Sequence, residues 1–140
     1  MQPLKVPGNL DSLSAIGQFV NAAASQAGLD KKTAYHLRLA VDEIATNIIV
    51  HGYDEAGLTG EVWVLTEMTE AALTIILEDS SPPFDPRNLG RPEHIDRPVE
   101  ERPIGGLGIY LTIENVDKFD YEYVNNRNRN IFVVNRPSAE

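Results

Sequence analysis

A chain of 140 residues, 42% hydrophobic and 24% charged, has room for one domain with a proper core and hardly for two. Its formal net charge of −9 argues against nucleic acid as a partner, because neutralising phosphates takes clustered Lys and Arg. The absence of cysteine removes disulfides, thiolate metal sites and cysteine nucleophiles; with no apolar run of membrane-span length and no signal-peptide pattern over residues 1–8, a cytoplasmic protein is expected.

In chain order, residues 2–6 read as a short edge strand, the one place in a sheet where Pro3 is tolerated. Asn9 or Asp11 then supplies an N-cap for a helix over about residues 13–27, which buries Leu13, Ile16, Val20 and Ala24 and stops at Gly28. Asp30 caps a second helix that runs to Gly52. Within its residues 37–53, at about 100° per residue, Glu43, Asn47 and His51 form one stripe, while Arg38 and Asp42 point to the opposite side. Leu39 and Val50 flank the stripe on one edge and Leu37, Ile44 and Ile48 on the other, so it is expected on the inner side of the helix. A carboxylate and an amide sunk among aliphatic side chains are costly unless something pairs with them, and a ligand is the candidate partner. His51 has two readings of equal weight, an imidazole favoured by the helix C-terminus and a functional group.

Residues 61–67 and 72–79 are rich in β-branched and aromatic side chains and are separated by a hairpin-length break, so they read as paired strands with one face under a single helical layer. From Ser80 to Pro103 the periodicity disappears, and prolines recur at 82, 83, 86, 92, 98 and 103. A loop this long inside a compact domain is usually a lid, a binding loop or disordered. Gly105-Gly106-Leu107-Gly108 then leads into an apolar helical pattern over residues 109–116. Residues 118–124 and 130–134 close the domain as two further strands joined by a turn over residues 125–128. Neither an internal repeat nor a domain boundary interrupts residues 1–140.

Three segments could carry chemistry. Glu43 and Asn47 stand one helical turn apart, where a carboxylate can orient a hydroxyl while an amide oxygen coordinates Mg²⁺, although the spacing alone is common. Asp79, at a strand end before Ser80-Ser81-Pro82-Pro83-Phe84-Asp85-Pro86, can accept from an exocyclic amine such as that of adenine; in isolation a solvated turn aspartate is the better account. Gly105, Gly106 and Gly108 leave backbone N–H groups unshielded before a helix start, either an anion nest or a flexible hinge. The run is not a complete G-x-G-x-x-G and follows a loop instead of a strand, so it is no Rossmann turn.

Taken in order, Leu39-Ala40-Val41-Asp42-Glu43-Ile44-Ala45-Thr46-Asn47 through His51-Gly52-Tyr53, then Asp79 with Pro82-Pro83-Phe84-Asp85-Pro86, then Gly105-Gly106-Leu107-Gly108-Ile109-Tyr110-Leu111, the chain resembles the GHKL ATPase superfamily over nearly its whole length. The resemblance is nearest to the anti-sigma-factor serine kinases of bacterial partner-switching systems. It implies an α/β (α+β) two-layer sandwich of the Bergerat ATP-binding type, a mixed sheet covered on one face by about three helices. It further implies ATP and Mg²⁺ as cofactors, with Asn47 as the metal ligand and Glu43 as the carboxylate that orients a partner's serine hydroxyl. By the same resemblance Asp79 reads adenine, Gly105, Gly106, Leu107 and Gly108 meet the phosphates, and about residues 80–105 form the ATP lid; Arg97 or Arg102 within it is offered to a phosphate on charge and place alone. The implied partners are a STAS-domain antagonist, a sigma factor and a second copy of the chain in a homodimer. One position departs from the family pattern: Ser81 stands where a glycine is usual two residues after the adenine aspartate. A Cβ there weakens nucleotide affinity unless it fits or its hydroxyl holds a water. The competing expectation is a binding module with little or no kinase activity that switches through protein contacts alone; a third is a partner-switching regulator of an output other than a sigma factor.

Overall fold

The computed structural model describes residues 1–89 and 112–137. β1 (Leu4–Pro7) leads through a 3₁₀ turn (Leu10–Ser12) into α1 (Leu13–Gln26), and α2 (Lys31–Asn47) follows. Asp30 caps α2 as expected, its carboxylate accepting from the Thr33 N–H at 2.7 Å. Neither Asn9 nor Asp11 caps α1 through its side chain: Ser12 occupies the N-cap position, and its hydroxyl donates to the Pro7 carbonyl instead. The 3₁₀ turn already satisfies the first donors, so no acidic cap is required. Gly28, at φ +73, supplies the left-handed turn after α1.

The sequence pattern suggests α-helix as far as Gly52, but the α2 ladder ends at Asn47. Ile48–Asp54 continues as a π-helical turn, with the Glu55 N–H on the Val50 carbonyl at 2.9 Å. Turns of this kind are rare and concentrate at functional sites.

β2 (Glu61–Met68), β3 (Ala72–Asp79), β4 (Lys118–Val124) and β5 (Arg127–Asn135) join β1 in a five-stranded sheet of order β1-β2-β3-β5-β4. Every neighbouring pair is antiparallel. This corrects the expected mixed sheet. β4 runs in the same direction as β3, but β5 is inserted between them. The paired helices between β1 and β2 return the chain antiparallel, because a crossover containing two helices reverses direction once more than a single-helix crossover does. The Asn125–Asn128 turn is also shorter than expected. Asn125 and Asn126, at φ 56 and 63, form the whole connection, and Asn128 belongs to β5. Two consecutive left-handed residues match the right-handed twist of a hairpin, and asparagine tolerates them.

One face of the sheet packs under the helices. Ile16 and Val20 of α1 and Leu37, Val41 and Ile44 of α2 meet Val62, Val64, Leu73, Ile75, Leu77 and Phe132, all with no solvent exposure. Each such side chain contributes about 1.5–3 kcal/mol relative to leaving it exposed. Phe119 packs edge-on against Phe132 at 5.2 Å between ring centroids. Residues 112–114 are helical and deliver Val116 into the same core.

Candidate functional site

Alternation along β3 and β5 assigns Leu73, Ile75, Leu77 and Asp79, and Asn128, Asn130, Phe132 and Val134, to the helix-covered face. At the end of the sheet nearest the π-helical turn, the buried side chains therefore change from aliphatic to polar. There the helix and sheet layers part around a cavity of about 330 Å³. Its walls include Asn47, Ile48, His51 and Gly52 from the helix side and Asp79, Ser81, Asn128 and Asn130 from the sheet side.

Asp79 is fully buried. Its Oδ1 accepts the Ser81 N–H at 3.0 Å, Asn128 Nδ2 at 3.1 Å, and the Ser81 hydroxyl. Its Oδ2 has no partner among the described residues. Burial raises the Asp79 carboxyl above the ordinary aspartate value of 3.8; the Ser81 hydroxyl, Asn128 and the Ser81 N–H draw it back down. A solvated turn aspartate, which the sequence alone favoured, is ruled out by this environment. Asn130 Oδ1 is a second buried acceptor without a partner among the described residues. Buried polar atoms are normally satisfied, so two orphaned acceptors on one cavity mark where a ligand's N–H or O–H groups belong.

Asn128 escaped the sequence reading because it was assigned to the turn. It stands directly across from Asp79 in the β3–β5 register. Its amide hydrogens are shared among Asp79 Oδ1, the Ser81 carbonyl at 3.0 Å and the Pro82 carbonyl at 3.2 Å, while its Oδ1 accepts from the Phe84 N–H at 3.0 Å and from the Tyr121 hydroxyl. The signal was present in the alternation: two asparagines, at 128 and 130, continue the buried face of Phe132 and Val134.

Tyr53 fixes the other approach to Asp79. Its ring lies between Gly8 and Gly60, where an added Cβ would come within 2.5 and 2.7 Å of it. Its hydroxyl donates to the Glu61 carbonyl at 2.7 Å and accepts from the Ser80 N–H at 2.9 Å. The backbone leaving β3 is thus held to the end of the π-helical turn.

The Glu43, Asn47 and His51 stripe is not the innermost face of the helix. Leu37, Ala40, Val41, Ile44, Ala45, Ile48 and Ile49 are buried, whereas Glu43 and Asn47 are half-buried at the edge of that face and His51 is exposed. Aliphatic side chains took the inner position because they gain from burial without needing partners. The wider π-helical turn also carries His51 off the α-helical stripe, and its Nδ1 meets Glu55 Oε2 at 2.5 Å. Asp42 is half-buried instead of facing fully outward; its burial raises its carboxyl, against a weaker pull from Arg38 at 3.7 Å. Asn47 reaches the cavity wall and Glu43 does not. Gly105, Gly106, Leu107 and Gly108, with Arg97 and Arg102, lie outside the described residues.

Among the described residues no group of three or more His, Asp or Glu side chains converges as a metal cage. A divalent ion held at Asn47 would accordingly depend on water and a bound phosphate beside that side chain. No helix among the described residues is long and apolar enough to cross a membrane.

A two-layer sandwich with a polar-ended cavity between its helices and its sheet is consistent with an ATPase domain. The chain belongs to the histidine kinase-like ATPase family, whose model matches residues 6–133. It is similar to serine-protein kinase RsbW of Bacillus cereus and of Bacillus thuringiensis, each 32% identical over 111 residues that cover 77% of this chain and 68% of the relative. A further Bacillus cereus protein of that name is 31% identical over the same span.

Proposed function

We infer that this protein is a Mg-ATP-dependent serine kinase of the partner-switching type, which phosphorylates a serine on a STAS-domain antagonist and sequesters a sigma factor, working as a homodimer. The single observation that carries the nucleotide part is the fully buried Asp79 on the cavity wall, whose Oδ2 has no partner among the described residues. That atom accepts an amine hydrogen, and the exocyclic amine of adenine supplies one. Relatives named as serine-protein kinases support the phosphoryl-transfer part and the choice of serine.

The roles follow from chemistry and place. Asn47, on the cavity wall, offers a neutral amide oxygen toward the phosphate side. Glu43, one turn earlier and half-buried, is available to a hydroxyl arriving from outside the cavity and aligns it for attack. Gly105, Gly106, Leu107 and Gly108 are assigned to the phosphates by the sequence motif. Mg²⁺, when bound, neutralises charge on the transferring phosphoryl group, so the protein's contribution is positioning and electrostatics.

The test incubates the protein with labelled ATP, Mg²⁺ and a STAS-domain protein encoded beside it. Wild type should transfer label to the antagonist, Asn47→Ala should abolish transfer, and Glu43→Gln should slow it by about 10²–10⁴-fold while leaving ATP binding in place. Absence of transfer together with absence of Mg-ATP binding by calorimetry would sink the kinase assignment. Undiminished transfer by Asn47→Ala would remove Asn47 as the metal ligand.

A further inference from the structure

Ser81 is buried and sits against both walls of the cavity. Toward the sheet, its hydroxyl donates to Asp79 Oδ1, its own N–H bonds the same oxygen at 3.0 Å, and Asn128 Nδ2 lies 3.4 Å from the hydroxyl oxygen. Toward the helix side it meets Gly52: a Cβ at that glycine would come within 2.7 Å of Ser81 Oγ and 2.9 Å of Ser81 Cβ. Gly52 lies in the π-helical turn and is not in the left-handed region, so close approach, not backbone freedom, is the reason for its missing side chain.

We propose that Ser81 is a positioning residue for nucleobase selection, a built-in clamp that saturates Oδ1 of Asp79 and commits Oδ2 as the ligand-facing acceptor, with Gly52 providing the space for it. The proposal rests on the assignment of Asp79 to the adenine amine. A carboxyl group that takes a proton and is free to rotate presents a donor as readily as an acceptor. With Oδ1 occupied by the Ser81 hydroxyl, the Ser81 amide and Asn128, rotation would break all of these bonds, and a base bearing an amine is preferred over one bearing a carbonyl at the same position. The serine thus adds an interaction with the reading carboxylate to set against the steric cost of a Cβ at this site.

Among the described residues, few ionisable groups face Asp79. Tyr53 approaches from the π-helical turn and Tyr121 from β4; burial pushes both hydroxyls above their ordinary value, so they stay neutral. His51 lines the same cavity and needs its own control.

Calorimetry with Mg-ATP and Mg-ITP, which carries a carbonyl in place of the amine, tests the proposal on wild type, Ser81→Ala and Gly52→Ala between pH 5 and 8. Ser81→Ala should weaken ATP binding by about 10-fold, the usual cost of a lost hydrogen bond to a charged group. The same variant should narrow the preference for ATP over ITP. It should also move the acid loss of ATP binding to higher pH, since one of the bonds that holds the Asp79 proton affinity down is gone, and that displacement should persist in a His51→Gln background. Gly52→Ala should weaken binding comparably in wild type and by less than about 2-fold when Ser81→Gly has already cleared the space. Ser81→Ala with wild-type affinity, selectivity and pH profile would overturn the clamp and leave the kinase assignment standing. Equal damage by Gly52→Ala in both backgrounds would remove Gly52 from it. Wild type that binds ATP and ITP equally, or neither, would overturn the Asp79 assignment and the clamp with it.

Discussion

Glu78 and Asp79 are consecutive on β3, both buried, and face opposite sides of the sheet. Glu78 is paired with two cations: Arg127 Nη1 meets one of its oxygens at 3.0 Å and Arg129 Nη1 the other at 2.5 Å, while the Arg127 guanidinium also stacks on Trp63 at 3.6 Å. Among the described residues Asp79 meets no cation: one oxygen is saturated by neutral donors and the other has no partner. A carboxylate that serves the fold finds its partners within the chain, whereas under the proposed function Asp79 is left one partner short for a ligand, with a desolvation penalty that the ligand would relieve.

The largest expected effect comes from removing that acceptor. Asp79→Asn turns the bare oxygen into a donor or loses the Ser81 bonds, and should weaken Mg-ATP binding on the order of 100-fold by calorimetry. Glu78→Gln, one residue away, should change it by less than about 2-fold. Comparable losses from both would erase the distinction between them.

Next in size is Asn128→Ala, which strips the donors from Asp79 and from the Ser81 and Pro82 carbonyls. It should lower unfolding stability in urea by about 2–3 kcal/mol and ATP affinity by about 10-fold. Unchanged affinity would mean that the β5 asparagine supports the loop and not the carboxylate.

A smaller effect follows from the sign of the Asp79 shift. Its carboxyl is raised above 3.8 by burial, so between that value and its folded value the native state holds more protons than the unfolded chain. The associated stability is fully present below the unfolded value and is lost as pH rises through the folded one. Asp79→Asn, which cannot ionise, should therefore melt at a higher temperature than wild type at pH 7, with the gap closing toward pH 4. A gap that stays constant with pH would show that burial of the charge is not what destabilises the site.

The smallest effect lies on the other face of the sheet. Arg127→Ala should cost about 0.5–1 kcal/mol, since the guanidinium is partly exposed and Arg129 still pairs with Glu78. A larger loss on chemical unfolding would make that face more than a solvated ion network.

Much of this arrangement was written locally. Asp30 as a cap, Gly28 as a stop and the strand over residues 72–79 follow from capping chemistry and period-2 alternation, which depend on neighbours in the chain. The segment order that identified the family was likewise legible, as was Asp79 at a strand end. What escaped depended on contacts between segments distant in sequence. The all-antiparallel sheet is decided by β5 entering between β3 and β4, and the Asn128–Asp79 bond spans that pairing.

The Glu43, Asn47 and His51 stripe shows the limit most clearly. Periodicity established that these side chains share one side of an α-helix, but the depth of that side is settled by what packs on it. The aliphatic row beginning at Leu37 and Val41 claimed the core, and the π-helical turn broke the period before His51. Ser81 is the same lesson in reverse. By sequence it is a departure with a steric cost; in the fold, Gly52 makes room for it and its hydroxyl is bonded to Asp79. Sequence by itself determined which groups could do the chemistry, because residue type and local geometry are properties of the chain. Only tertiary structure decided which of them is buried without a partner, because desolvation is a property of everything folded around it.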